Sequence, residues 1–262
     1  MTSLAWGLLG AFLLAGTAFA AQAWYWRRHA LQLDRVLSDT NAKLERLQGQ
    51  FEHFVPADVV ERLTDGRGAY VPQRRQVTML FADLRGFTAM CDRLDPAVTV
   101  TILNEYFVHM SRSIVRHHGH VTELVGDGLL ALFGAIETNP WQVRDAVLAA
   151  LDMRAELERY NQQLRARALP ELRFGIGIHC GEVVAGVMGA GELNKFSVTG
   201  DPINVASRVE GLTREHQVDL LVTEEVRAAL DARFCLRAMP ALHVKGKIEP
   251  LRTYHVEGLA QA

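Results

Sequence analysis

The sequence lacks several features that would link it directly to a known chemistry. It has 3 cysteines among 262 residues, and the wide spacing of Cys91, Cys180 and Cys235 offers neither a disulfide framework nor a CxxC metal knuckle. No Gly-x-Ser-x-Gly segment is present, so acyl transfer by a serine nucleophile has no support. The formal net charge of −2 gives no general attraction for nucleic acid. We therefore expect no nucleic-acid partner, and any phosphate site must be local.

The glycine-rich segments and the histidines also lack the residues that would complete a familiar site. Residues 186–191 have no Lys-Ser/Thr ending, and the two glycines of residues 175–177 lie within a strand pattern instead of opening a helix. We interpret both segments as turns or positions of close packing. The histidines of residues 117–120 have no cysteine or carboxylate at zinc-ligand spacing, so we do not predict a metal site there.

Charged residues are absent from residues 1–26. As a helix, residues 4–26 would be about 34 Å long, enough to cross a hydrocarbon core of about 30 Å. Arg27 and Arg28 follow a Trp-Tyr-Trp segment directly, which predicts a retained single-pass transmembrane helix with the rest of the chain in the cytoplasm. The alternative is a cleaved signal peptide, for which Ala-Phe-Ala at residues 18–20 offers a cleavage site.

A heptad pattern follows the apolar segment. Its members, spaced alternately four and three residues apart, are Leu33, Leu37, Thr40, Leu44, Leu47, Phe51 and Phe54. The pattern predicts a coiled-coil stalk over residues 27–55 that aligns two chains in parallel. The alternative is a helix that lies against its own domain. Pro56 ends or kinks this helix, so we assign residues 56–71 to a linker and residues 72–262 to one globular domain.

Short strand-like segments alternate with helical segments in the globular domain. The helices are expected near residues 96–117, 141–168 and 203–216, and the strands at 77–82, at 119–133 as a hairpin, at 172–179, 182–185 and 220–223, with a closing pair. A turn is expected at Cys180-Gly181. This order predicts an α+β fold in which helices cover a largely antiparallel sheet.

Two aspartates occupy unusual positions in this pattern. Asp83 ends an apolar strand, and Asp127 lies in the Gly-Asp-Gly turn between two apolar strands. Each alone is typical of a turn residue. If their strands are neighbours, the two carboxylates would repel each other unless a divalent cation such as Mg²⁺ held them together with phosphate oxygens. Residues 84–88 then turn into a helix whose free N–H groups could receive phosphates.

Four segments carry a resemblance to a known family. They are FADLRGFT at residues 81–88, GDGLLALFG at 126–134, GIHCGEV at 177–183 and GDPINVASR at 200–208. In order and spacing they resemble the class III adenylate/guanylate cyclase domain across residues 72–257. The resemblance implies a ferredoxin-like catalytic core, a head-to-tail homodimer with two composite sites, and conversion of a nucleoside triphosphate into a 3′,5′-cyclic nucleotide and pyrophosphate.

The resemblance also implies roles for individual residues. On one subunit, Asp83 and Asp127, with Leu84 beside the former, would hold two Mg²⁺ or Mn²⁺ ions, and Gly86, Phe87 and Thr88 would contact the substrate. On the other subunit, Asn204 would orient the ribose, and Arg208 would stabilise charge that develops on the α-phosphate. Lys245 matches the family's triphosphate lysine, whereas the residues alone would make it a solvated surface lysine.

One position departs from the family's pattern. Many relatives carry an arginine that touches the triphosphate where this chain has Gly175. Arg173, two residues earlier and expected on the same strand face, either substitutes for that arginine or leaves the contact absent.

Glu123 and Ser197 occupy the two positions that select the base in this family. Adenylate cyclases typically have lysine at the first and aspartate or threonine at the second, and guanylate cyclases have glutamate and cysteine. A carboxylate at Glu123 can accept hydrogen bonds from guanine N1 and N2 while Ser197 donates to O6, so the residues favour GTP. ATP is the alternative, because Ser197 also resembles the threonine of some adenylate cyclases. A catalytically silent nucleotide-binding module is a third hypothesis.

Overall fold

The computed structural model describes residues 72–188, 195–242 and 250–260. The predicted transmembrane helix, stalk and linker, and also Lys245, lie outside these residues. Within the described ranges, no helix has both the length and the apolar character needed to cross a membrane. The anchor and the stalk therefore stay predictions.

The described elements follow the order expected from the sequence with two differences: one long strand takes the place of two, and a strand at residues 195–199 was not expected. In the first half they are β1 (Gln73–Leu84), α1 (Phe87–Cys91), α2 (Pro96–Arg116), β2 (His120–Val125), β3 (Gly128–Phe133) and α3 (Gln142–Ala166). In the second half they are β4 (Phe174–Met188), β5 (Lys195–Thr199), α4 (Asp201–Glu215), β6 (Leu220–Thr223), α5 (Glu224–Ala229), β7 (Phe234–Ala238) and β8 (Thr253–Leu259).

These strands form one sheet in the order β2-β3-β1-β4-β6-β8-β7, and β5 pairs with the far end of β4. The β4–β6 pair is parallel, and the other pairs are antiparallel. The predicted α+β class with a largely antiparallel sheet is thus confirmed. The first four strands, with helices after β1 and after β3, have the β-α-β-β-α-β order of a ferredoxin-like core.

The side chains of β1 alternate between the two faces of the sheet, and helices cover both faces. Leu80 and Leu84 lie on one face in the apolar core that α2 and α3 complete, whereas Val77 and Met79 lie in a second core that includes Ala206 of α4. Successive side chains of a strand point to opposite faces, so a strand with continuous apolar residues must be covered twice. This arrangement sets α4 against the face of β1 opposite to α2 and α3.

The turn expected at Cys180-Gly181 is wrong. β4 runs unbroken through both residues, which pair with Thr78 and Val77 of β1. A Cβ at Gly181 would lie 2.8 Å from a ring carbon of Pro202 at the start of α4. The glycine is therefore needed for the close approach of a helix and not for a change of chain direction.

The glycines at positions 175 and 177 also serve close packing, as the sequence indicated. A Cβ at Gly177 would lie 2.1 Å from the backbone nitrogen of Glu210 in α4. A Cβ at Gly175 would lie 2.2 Å from the side-chain oxygen of Thr213. Three glycines of β4 thus allow α4 to lie directly on the strand.

We predict that Gly177→Ala weakens the fold, because the new methyl group meets backbone atoms that cannot move aside. Urea unfolding should show a loss of about 1–3 kcal/mol in the free energy of unfolding. The matched control is Gly211→Ala in α4, where a Cβ would meet nothing within 4 Å. That variant should gain about 0.5–1 kcal/mol from helix propensity. Equal effects of the two substitutions would contradict the close packing of α4 on β4.

Candidate active site

Asp83 and Asp127 come together in one cleft. β1 pairs with β3 so that Ala82 lies opposite Leu129, and a Cβ at Gly128 would lie 3.2 Å from Oδ1 of Asp83. The residue before Gly128 is Asp127, which the β2–β3 turn therefore brings beside the end of β1. Both aspartates line a cleft of about 390 Å³, together with residues 84–88 and Arg214.

The connection from β1 to α1 forms one wall of this cleft. Gly86 adopts the left-handed backbone conformation, with φ of 70°, which glycine adopts without strain. The chain then enters the short helix α1, and the carbonyl of Gly86 accepts a hydrogen bond from the amide of Met90 at 3.1 Å. The structure thus brings Leu84, Gly86, Phe87 and Thr88 to the same cleft as the aspartates, and their roles stay predictions.

The surroundings of Asp83 disfavour its ionised form. Burial raises the pKa of this carboxyl group, and the negative charge of Asp127 raises it further. The guanidinium group of Arg214 opposes both effects by donating a hydrogen bond to Oδ2 of Asp83. The cleft therefore favours positive charge beside Asp83.

The aspartate pair fits a hard divalent cation. Carboxylate oxygens are the ligands that Mg²⁺ prefers, and one or two carboxylates with phosphate oxygens are a common set. In the described part of the chain, no group of three or more His, Cys, Asp or Glu residues is arranged to hold a metal ion. Nε2 of His117 lies 3.6 Å from Oδ2 of Asp152. Nδ1 of His118 lies 3.5 Å from Oδ2 of Asp145.

Glu210 is a third carboxyl group near the cleft, and sequence reasoning missed it. Burial, followed by the charge of Asp83, raises the pKa of Glu210 to about 7. Its Oε1 atom is buried without a hydrogen-bond partner among the described residues. The same atom would lie 2.8 Å from a Cβ at Gly175, which lies opposite Asp83 in the β1–β4 register. Gly175 and Gly177 of β4 were the feature of the sequence that could have predicted close contact with a helix.

Arg85 connects the end of β1 to the end of α4 by hydrogen bonds, a role that the sequence did not indicate. Its guanidinium group donates hydrogen bonds to the backbone carbonyls of Thr213, at 3.0 Å, and Val218. Its backbone amide donates to the carbonyl of Arg173 at 2.8 Å. Burial lowers the pKa of Arg85. The last turn of α4 is thereby held beside the cleft.

Asn204 and Arg208 lie on α4 and do not line the Asp83–Asp127 cleft. Asn204 is exposed. One guanidinium nitrogen of Arg208, Nη1, is buried and has no hydrogen-bond partner within the described ranges. A buried donor without a partner is unusual, because buried polar groups usually have one.

The two positions that the resemblance assigns to base selection lie on different parts of the sheet. Glu123 is half-buried on β2 beside a bulge. It pairs with Leu130 of β3, Leu130 pairs with Phe81 of β1, and Phe81 pairs with Gly177 of β4. Ser197 on β5 pairs with Gly186, nine residues further along β4. The two side chains are thus not neighbours in the register, and their contact with one base stays a prediction.

Arg173 lies just before β4 begins at Phe174 and not within the strand. It is exposed and is not among the residues that line the cleft. Its charge is close enough to Arg85 to contribute to the lowered pKa of that residue.

Comparison with known proteins identifies the family. The model of the adenylate and guanylate cyclase catalytic domain matches residues 69–258, so the chain belongs to this family. It is 33% identical over 237 residues to an adenylate cyclase of Anabaena cylindrica, covering 86% of this chain and 46% of that protein. The chain spans less than half the length of the first curated relatives it matches.

Solved structures of both kinds of cyclase are similar to this fold. The guanylyl cyclase Cya2 is 32% identical, with a TM-score of 0.68, over 72% of this chain and 95% of that one. The adenylyl cyclase CyaB of P. aeruginosa is 26% identical, with a TM-score of 0.68, over 72% of this chain and 97% of that one. The class III cyclase fold expected from the four sequence segments is therefore confirmed.

We predict that Glu210 makes the metal-free protein less stable as the pH rises. Its folded pKa of about 7 lies above the ordinary value of 4.5, so the folded state binds more protons than the unfolded state between these values. Stability should fall through this window, and Glu210→Gln should remove the fall. In urea with EDTA, we expect the variant to exceed the parent by about 1–3 kcal/mol at pH 8, the lower value applying where solvent screens this half-buried group, and to match it near pH 4.5.

The control for this experiment is Glu158→Gln, since Glu158 is an exposed residue of α3. It should leave the pH dependence of stability unchanged. A Glu210→Gln variant with the same pH dependence as the parent would contradict the assignment of a raised pKa to Glu210.

Proposed function

We propose that this chain is a nucleotide cyclase, a phosphorus–oxygen lyase that converts a nucleoside triphosphate, with GTP favoured, into a 3′,5′-cyclic nucleotide and pyrophosphate. The observation that carries the proposal is the convergence of Asp83 and Asp127 in one partly buried cleft, in a chain of this family. Among the residues that the structure describes, Arg214 is the cation that donates a hydrogen bond to this pair, through Asp83.

To catalyse this reaction, the protein must mainly position the substrate and neutralise the charge of its triphosphate. The 3′-hydroxyl oxygen attacks the α-phosphorus in line, the bond from the α-phosphorus to the bridging oxygen breaks, and the proton of the hydroxyl group is lost. Two Mg²⁺ or Mn²⁺ ions held by Asp83 and Asp127, with Leu84 beside them, would lower the hydroxyl pKa and neutralise the triphosphate. Gly86, Phe87 and Thr88 shape the cleft wall where the substrate phosphates would lie.

The second half of the site would come from another copy of the chain. Arg208 and Asn204 do not line the aspartate cleft, and Nη1 of Arg208 is buried without a described partner. In a head-to-tail homodimer, Arg208 of one copy would stabilise charge on the α-phosphate held by the other, while Asn204 orients the ribose and Lys245 contacts the triphosphate. Each dimer would then contain two composite sites.

The preference for GTP is supported by Glu123. An ionised carboxylate accepts hydrogen bonds from guanine N1 and N2, whereas adenine presents an acceptor at N1 that repels it. Two charge-assisted hydrogen bonds of about 1.5–3 kcal/mol each correspond to a preference of about 10²- to 10⁴-fold. Ser197 would donate to guanine O6.

ATP is the second candidate substrate. The Anabaena cylindrica relative is named an adenylate cyclase, whereas Cya2 at similar identity is named a guanylyl cyclase. The hydroxyl group of Ser197 can also accept a hydrogen bond from adenine N6.

A catalytically silent nucleotide-binding module would bind nucleotide and produce neither cyclic product.

We also propose that residues 1–26 anchor the enzyme in a membrane, with the catalytic domain in the cytoplasm, and that residues 27–55 align two chains. The support is the uncharged apolar segment followed by Arg27 and Arg28, and the heptad pattern after it.

The base preference is tested with an equimolar mixture of ATP and GTP and Mn²⁺, by measuring both cyclic products over time. We expect more cyclic GMP from the parent protein. Glu123→Lys with Ser197→Asp should reverse the preference, because lysine donates to adenine N1 and aspartate accepts from N6. Glu158→Lys, the same charge change on an exposed residue, should keep the parent's preference. A higher specificity constant of the parent for ATP would show that the GTP assignment is wrong.

The composite site is tested by mixing two inactive variants. Asp83→Ala and Arg208→Ala should each abolish cyclisation as homodimers, since every site then lacks one half. An equal mixture should recover about a quarter of the parent's activity, because about half of the dimers are mixed and each has one intact site of two. A mixture that stays as inactive as either variant would contradict a site shared between two copies.

A further inference from the structure

Arg214 is a cleft residue to which sequence reasoning assigned no role. It lies in the last turn of α4, lines the same cleft as both aspartates, and donates a hydrogen bond to Oδ2 of Asp83. Its side chain is 57% exposed, whereas that of Asp83 is 30% exposed. The guanidinium group thus reaches from the solvent side onto a carboxylate that the proposed reaction needs for metal ions.

The other arginine of the cleft cannot take this role. Arg85 is held by two backbone carbonyl groups, those of Thr213 and Val218, and is partly buried. Within the described part of the cleft wall, Arg214 is therefore the cation whose contact is with a side chain and not with the backbone. It can move without releasing the end of α4.

No cation comes from β4 at the level of Asp83. Gly175 lies opposite Asp83 in the register, and a Cβ there would lie 2.2 Å from Oγ1 of Thr213 and 2.8 Å from Oε1 of Glu210. A long side chain at position 175 therefore has no room beneath α4. Arg173 is exposed and does not line the cleft.

The charges of the cleft give Arg214 two possible partners. Without metal ions, the carboxylates of Asp83, Asp127 and Glu210 attract it, and it contacts Asp83. Divalent cations would compete for the same oxygen of Asp83 and would repel the guanidinium group. A triphosphate in the cleft would then be the nearest anion, and Arg groups bind phosphate oxygens through two parallel hydrogen bonds.

We propose that Arg214 holds Asp83 in the metal-free cleft and binds the triphosphate group once metal ions occupy the aspartates, so that α4 supplies the cation that Gly175 cannot. This inference rests on the proposed function, because it assumes a metal-bound triphosphate in the cleft. Arg214 is then both a competitor of the metal ions and a substrate contact.

The two roles predict binding changes of opposite sign in the full-length protein. Arg214→Ala should bind Mn²⁺ about threefold or more tightly without nucleotide, as measured by the paramagnetic resonance of free Mn²⁺, because a competing cation is gone. The same variant should bind the preformed complex of Mn²⁺ and inorganic tripolyphosphate about tenfold more weakly, as measured by calorimetry. Arg214→Lys should restore most of the tripolyphosphate affinity.

Two control variants separate this role from general charge effects and from the rival arginine. Arg159→Ala removes the same charge from an exposed position on α3, and Arg173→Ala removes the arginine nearest in sequence to Gly175. Neither should change tripolyphosphate binding. An unchanged tripolyphosphate affinity in Arg214→Ala, or an equal loss in Arg173→Ala, would overturn the inference.

The outcome also distinguishes this inference from the proposed function. Cyclisation by the parent protein, together with unchanged binding in Arg214→Ala, would refute the role of Arg214 alone. Opposite shifts of Mn²⁺ and tripolyphosphate binding, in a parent protein that cyclises neither ATP nor GTP, would support the role of Arg214 and refute the cyclase proposal.

Discussion

The repulsion between Asp83 and Asp127 is the constraint on which the rest of the site depends. The β1–β3 register brings these two carboxylates to one end of the sheet, where burial and the charge of Asp127 raise the pKa of Asp83. Arg214 donates a hydrogen bond to Asp83. Burial, followed by the charge of Asp83, raises the pKa of the neighbouring Glu210 to about 7. The carboxylates of this cleft therefore favour a cation beside Asp83.

Helix α4 connects this cleft to the other half of the proposed site. Glycines at positions 175, 177 and 181 let it lie on β4, and Arg85 ties its last turn to the end of β1. In the proposed homodimer, Asn204 and Arg208 of this helix would lie at the cleft of a second copy, while Arg214 lines the cleft of its own chain. Packing between one helix and one strand thereby positions residues that would act in two different sites.

The sequence was sufficient for those features that depend on local pattern. Apolar alternation and the Asp-Gly turn predicted the strands that carry Asp83 and Asp127, because side-chain period and turn chemistry are properties of neighbouring residues. The break at Gly181 was wrong because a glycine in a strand has the same local signal whether it forms a turn or admits a helix. Glu210 and Arg214 were missed because their place beside Asp83 depends on the long-range docking of α4. The glycines of β4 indicate close packing but do not indicate which helix residues reach the cleft.

The most direct measurement of the central claim is a crystal structure of the protein with Mn²⁺ and 3′-deoxy-GTP, which cannot cyclise, using anomalous scattering to locate the metal ions. The account predicts two Mn²⁺ ions bound by Asp83 and Asp127 of one copy, with the α-phosphate of the same nucleotide beside Arg208 of the second copy. Metal ions bound away from these aspartates, or a nucleotide contained within a single copy, would contradict it.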